Sequence, residues 1–187
     1  MYVSRHGLQL LGICLGISFL AATAQPQTNL RPITIAVLDF ADASLGKTAA
    51  EKLAARLASP GLKLVDCDLG RAAARGAGYK RSLNLSLSEA RDLGAAIGCD
   101  FYVIGDAQTV RRSSSTGPAY FESYASIFLV STRTGRLISW ERPTFEAATT
   151  ETAERLLLDH LSKDETRRRY LNTLPRHVVP FQPHRHA

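Results

Sequence analysis

The sequence predicts a single α/β domain: a five-stranded mixed sheet in the order 2-1-3-4-5, with helices on both faces. Three observations predict it. Ile33 to Phe40 (ITIAVLDF) is a nearly continuous β-branched and apolar run, the pattern of a central strand buried on both faces. Helical patterns precede each of the next two strands, so right-handed crossovers make the first three strands parallel. The last two strands are joined by Thr132-Arg133-Thr134-Gly135, a tight hairpin that extends the sheet with an antiparallel pair.

The first strand follows Pro32. In Ser44 to Ala58, Leu45, Ala49, Leu53 and Leu57 recur every four residues while Lys47, Glu51, Lys52 and Arg56 fall elsewhere. That spacing predicts an amphipathic helix, stopped at Pro60-Gly61. Leu62 to Val65 reads as a short second strand, and the glycine-broken stretch Leu69 to Gly78 as one or two helical turns. Ser86-Leu87-Ser88-Glu89 fits a capping box, in which the serine hydroxyl and the glutamate carboxylate each satisfy an orphan backbone amide, with Leu85 and Ala90 as the hydrophobic staple. Ala90, Leu93 and Ile97 make the buried stripe of this second helix, and Gly98 suits a left-handed stop.

Phe101 to Val110 is predicted as the third strand and Arg111 to Ala119 as a solvated loop. Tyr120 to Ser131 and Leu137 to Pro143 are the hairpin strands, with Gly135 at positive φ. A final helix from about Thr150 to Leu161 places Ala153, Leu157 and Leu161 on one stripe. Past Thr166 the pattern decays. In the 2-1-3-4-5 order Cys67 lies at the carboxyl end of the second strand and Cys99 before the amino end of the third. At about 3.3 Å per residue their separation exceeds the ~7 Å Cα limit of a disulfide, so both are expected unpaired.

Arg5 and His6 precede a charge-free run from Gly7 to Leu20, and Ala22-Thr23-Ala24 offers small residues at the positions a signal peptidase requires. The run is shorter than the roughly 20 apolar residues of a spanning helix. The expectation is a cleaved export signal over residues 1–24, a linker over 25–32, the α/β domain over 33–162 and a basic tail over 163–187. The mature chain, about 160 residues, is long enough for one core, and its expected location is periplasmic or secreted. Ile13 stands before Cys14 where a lipoprotein box needs a small residue.

The chain carries a net charge of +6, and most of the excess lies in Lys163, Arg167, Arg168, Arg169, Arg176 and Arg185, opposed by Asp164 and Glu165. A basic terminus on an exported protein points to weak contact with an anionic surface and away from nucleic acid.

IAVLDFAD at residues 35–42, LSEARDLGAAIGCDFYVIGDAQ at 87–108 and STRTGRLISWE at 131–141 together resemble the superfamily of the TolB amino-terminal domain, the CsgG curli-secretion lipoproteins and related envelope accessory proteins. The shared pattern is a first strand ending in Asp-Phe, a helix ending before a strand of the form hydrophobic-Gly, and a closing Thr-Gly hairpin. It covers roughly Ile33 to Trp140. The resemblance implies a non-catalytic envelope module that docks onto a larger partner. Two features of the group are missing: Gln25 stands at the predicted mature start where CsgG relatives carry a lipid-anchored cysteine, and Gln108 to Glu122, with Arg111, Arg112 and a serine cluster, lacks the apolar outward face of a pore-forming hairpin.

No phosphate loop, dinucleotide fingerprint, nucleophile elbow or paired-cysteine zinc motif occurs in the sequence, so no enzymatic activity, cofactor or metal is expected. Asp39, Asp42 and Asp106 stand at the carboxyl ends of the first and third strands, where doubly wound sheets bind ligands. They are the candidate ligand residues of an alternative reading, a small-molecule or cation sensor; the stronger reading of the residues is that Asp39 and Asp42 cap the first helix and Asp106 faces solvent. His177, His184 and His186 lack the fixed spacing of a metal site. The leading expectation is an adaptor for an envelope protein, recruited by β-augmentation beside Ile138 and Trp140 on the last strand, with Glu141, Arg142 and Pro143 blunting the rest of that edge.

Overall fold

A computed structural model describes residues 32–41, 43–113 and 117–174. In chain order the elements are β1 (Ile33–Val37), α1 (Ser44–Leu57), β2 (Leu62–Leu64), α2 (Cys67–Gly76), α3 (Leu87–Ile97), β3 (Phe101–Arg112), β4 (Tyr120–Ser131), β5 (Leu137–Glu141), β6 (Thr144–Ala147), α4 (Thr150–Leu161) and α5 (Asp164–Thr173). They form a single α/β domain around one mixed sheet. The sheet runs β2-β1-β3-β4-β5, as the sequence predicts, and β6 adds a further pairing on β4.

β1 is parallel to both β2 and β3, while β3 and β4 form an antiparallel ladder from Phe101↔Ser131 to Arg112↔Tyr120 without a register shift. Alternation along the strands divides the interior in two. Ile33, Ile35, Val37, Val103, Ile127 and Leu129 pack with Leu53 and Leu57 of α1, Leu157 and Leu161 of α4, Tyr170 of α5 and Leu174 just after it. Ala36, Leu38, Tyr102, Ile104 and Val130 pack on the other face with Ala74 of α2 and Ala90, Leu93 and Ile97 of α3. Buried Tyr102 satisfies its hydroxyl by donating to the Ala90 carbonyl at 2.9 Å.

The local signals of α3 operate as read. The Glu89 amide donates to Ser86 Oγ, the Ser86 amide donates to the Glu89 carboxylate at 2.8 Å, and Gly98 ends the helix at φ 76°. Gly135 takes φ +68°, and a Cβ there would meet the Leu87 carbonyl oxygen at 2.2 Å, so the β4–β5 turn fits closely beneath α3.

The structure departs from the sequence reading in three places. Residues 67–76 form a full helix: Asp66 caps it by accepting from the Asp68 and Leu69 amides at 3.0 Å, and its buried side is Gly70 and Ala74, small residues that leave no apolar stripe to read. The segment given to the basic tail begins as helix α5, which buries Thr166 and Tyr170. The last strand ends at Glu141, and the edge resumes after Pro143 as β6. The register of β6 on β4 continues that of β5: Ile127↔Glu141 is followed in step by Tyr124↔Thr144.

Candidate functional site

The carboxyl end of β1 is the switch point of the sheet. From it α1 covers one face on the way to β2, and α2 and α3 return across the other face to β3, so the chain leaves a crevice between the two layers. A cleft of about 610 Å³ opens there. Leu38 and Asp39 form its floor, α1 supplies Lys47 and Glu51, α2 supplies Asp68, Arg71, Ala74 and Arg75, and the loop after α2 supplies Tyr79, Lys80 and Arg81.

Asp39 is held within this cleft. Arg71 Nη1 donates to Asp39 Oδ1 at 2.8 Å, and Arg71 Nη2 donates to Asp68. The hydrogen bonds to Asp68 and Asp39 push the Arg71 guanidinium above its ordinary value, so it stays charged. Arg81 Nη2 donates to the Asp39 carbonyl at 3.4 Å from a backbone at φ 65°, the left-handed region that a non-glycine residue seldom occupies. Tyr79 donates to the Ser82 carbonyl at 3.2 Å, and burial pushes its phenol up to about 12.

Asp39 and Asp106 line different hollows. Asp106 accepts from Gln108 Nε2 at 2.6 Å and lines a separate hollow with Phe40, Arg81 and Leu83. Asp42 lies outside the described residues, as do His177, His184 and His186. Among the described residues no group of three His, Cys, Asp or Glu is placed to hold a metal ion. Asp39 does not cap α1 either: the N-cap is Ala43, without a side-chain hydrogen bond. The cationic side chains around Asp39 were missed in sequence. Arg71 and Arg75, one turn apart on α2, become legible only once Asp66 is recognised as a helix cap.

The second candidate surface is β5, the end of the sheet. Leu137, Ile138 and Trp140 are 54%, 36% and 58% exposed, a run of large apolar side chains on a five-residue strand. The Trp140 ring tilts against Phe128 with centroids 6.4 Å apart, and the Arg142 guanidinium lies 4.0 Å from the centre of the Tyr124 ring.

Backbone direction along this edge follows from two hydrogen bonds. The Ser131 amide donates to the Arg136 carbonyl and the Ala125 amide to the Pro143 carbonyl, so the odd-numbered residues of β4 point their N–H groups toward the edge strand. Leu129↔Ser139 and Ile127↔Glu141 are therefore hydrogen-bonded pairs, and the N–H and C=O of Trp140, opposite Phe128, point out of the sheet. The residues expected to blunt this edge face elsewhere. Glu141 accepts from Tyr170 and Arg169 of α5, Arg142 lies 3.7 Å from Glu122, and the donor that Pro143 lacks is one that would have faced β4.

Cys67 and Cys99 are both free, as the strand order requires. Among the described residues no helix is long and apolar enough to cross a membrane.

No protein-family model matches the sequence, and no curated protein matches it. Solved structures that are similar include a hypothetical protein from Chlamydia trachomatis, with 11% identity and a TM-score of 0.49 over 76% of this chain and 98% of that chain. PelC from Paraburkholderia phytofirmans, solved as a dodecamer, has 11% identity and a TM-score of 0.43 over 73% of this chain and 87% of that one. A lipoprotein from Neisseria meningitidis has 14% identity and a TM-score of 0.47 over 75% and 99% respectively.

Proposed function

We propose that this chain is a non-catalytic envelope module that recruits a protein partner by adding one of the partner's strands beside β5. The observation that carries the reading is the outward-facing backbone of Trp140, flanked by the exposed side chains of Leu137, Ile138 and Trp140 itself. Main-chain hydrogen bonds would supply affinity there and the apolar side chains specificity, the division of labour of β-augmentation. The export signal expected over residues 1–24 and the resemblance at residues 35–42, 87–108 and 131–141 support an envelope location.

Affinity capture from an envelope extract tests this with two variants of one residue. Trp140→Pro removes the outward N–H together with the ring, whereas Trp140→Ala removes the ring alone. The expected result is a stoichiometric partner captured by the native chain, weakened by alanine and lost with proline, while both variants keep the native far-UV spectrum. Full capture by a folded proline variant would overturn recruitment through β5. Ser139→Pro is unsuitable, because the Ser139 amide points into the β4–β5 ladder.

A further inference from the structure

We infer that the switch-point cleft binds a small organic oxyanion, a molecule bearing phosphate or carboxylate groups. This site shares no residue with β5 and stands apart from the docking reading. Its volume of about 610 Å³ lies in the range of roughly 300–1,000 Å³ that ligand pockets occupy. Its charge selects the ligand: among the described residues, five cationic side chains line it against three carboxylates.

Two of those carboxylates, Asp39 and Asp68, are already paired with Arg71. Among the described residues no ion pair engages Lys47, Arg75 or Lys80, and all three are exposed. A bound cation would meet this positive excess, and Asp39, one of the carboxylates expected to attract it, is already paired with Arg71. An anion would instead meet donors supplied to one cleft by three separate pieces of chain: Lys47 on α1, Arg75 on α2 and Lys80 in the loop. Guanidinium and ammonium groups bind oxyanions through charge-assisted hydrogen bonds, and a concave setting concentrates their field. Leu38, Ala74 and Tyr79 give the same cleft an apolar wall, suited to the carbon body of an organic ligand. The loop that brings Lys80 into place turns through φ +76° at Gly78 and φ 65° at Arg81. Such left-handed positions persist where the surrounding structure enforces them.

Thermal unfolding of the full chain, followed during titration with pyrophosphate and separately with citrate at fixed ionic strength, tests the site. The expected result is a saturable rise in Tm with at least one probe, absent when sodium chloride replaces it. In Arg75→Glu/Lys80→Glu, and independently in Lys47→Glu, the apparent Kd should weaken at least about tenfold, the scale of one lost charge-assisted hydrogen bond. These side chains are exposed, so the unliganded Tm should stay at its native value. No saturable shift with either probe, or the same shift in the native chain and both variants, would overturn the proposal. Co-sedimentation with phosphatidylglycerol vesicles gives the source of the anion. Sedimentation that pyrophosphate reverses supports the site with a lipid head group as ligand; pyrophosphate binding without sedimentation supports it with a soluble one. Sedimentation that persists in both variants, with no effect of pyrophosphate, is carried by another surface and would overturn a lipid head group as the ligand of this cleft.

Discussion

Tyr170 on α5 donates its hydroxyl to Glu141 at the end of β5 across 2.8 Å, and Arg169 binds the same carboxylate. This joins the last helix to the edge of the sheet. The Glu141 side chain is only 15% exposed and Tyr170 is buried in the main core, so the contact is shielded from water.

Tyr170→Phe should therefore lower stability by about 1.5–3 kcal/mol, the range for a hydrogen bond to a charged group, and Tyr170→Ala by about 3–5 kcal/mol as a cavity is added. The check is urea denaturation, with a lower midpoint at an unchanged m-value. Equal midpoints for the native chain and the phenylalanine variant would show that the hydroxyl contributes nothing to stability.

The two thiols of the domain should react in a fixed order. Burial pushes the Cys99 thiol up to about 11 and also raises that of Cys67, but Cys67 is only half-buried while Cys99 is 7% exposed. Brief iodoacetamide treatment of the native protein at pH 8, followed by peptide mapping, should label Cys67 well before Cys99. Unfolding in denaturant without reductant should make both reactive, because no bridge joins them. Recovery of a Cys67–Cys99 peptide pair would contradict the sheet order.

Stability should fall on mild acidification. Burial holds the His160 pKa below the ordinary 6.5, where its ring packs against Phe145 at 5.4 Å. The unfolded chain then takes up a proton that the folded one resists. The stabilisation is present above pH 6.5 and lost as the pH falls through the folded value. Glu89 adds a second loss at lower pH: the Ser86 hydroxyl and amide lower its pKa from 4.5, so its contribution disappears as the capping carboxylate is protonated. Tm measured from pH 7.5 to 5.5 should decline in the native chain and flatten in His160→Gln; an unchanged slope would remove His160 from the account.

The sheet order was legible because its signals are strong and local. Ile33 to Val37 is apolar on both faces, Ser86 and Glu89 make both bonds of the capping box, and Gly98 and Gly135 occupy the positive-φ positions assigned to them. What escaped reading was structure held by small residues or by distant partners. α2 buries glycine and alanine, and α5 hides Thr166 and Tyr170 among arginines that look like a solvated tail. The candidate site was harder still. Asp39 stands where strand position places it, but its chemistry is set by Arg71, thirty-two residues away in the chain. No spacing rule connects the two.

Pro143 has one further effect. It occupies the same register as the strands on either side, yet it can give no N–H to Ala125, so the ladder holding the edge to β4 lacks one rung between Glu141 and Thr144. β6 is secured by half-buried Phe145, packed against the core, and β5 by its tie to α5. The edge is thus two pieces that can open separately, and amide exchange in β5 and in β6 should follow two different local opening free energies.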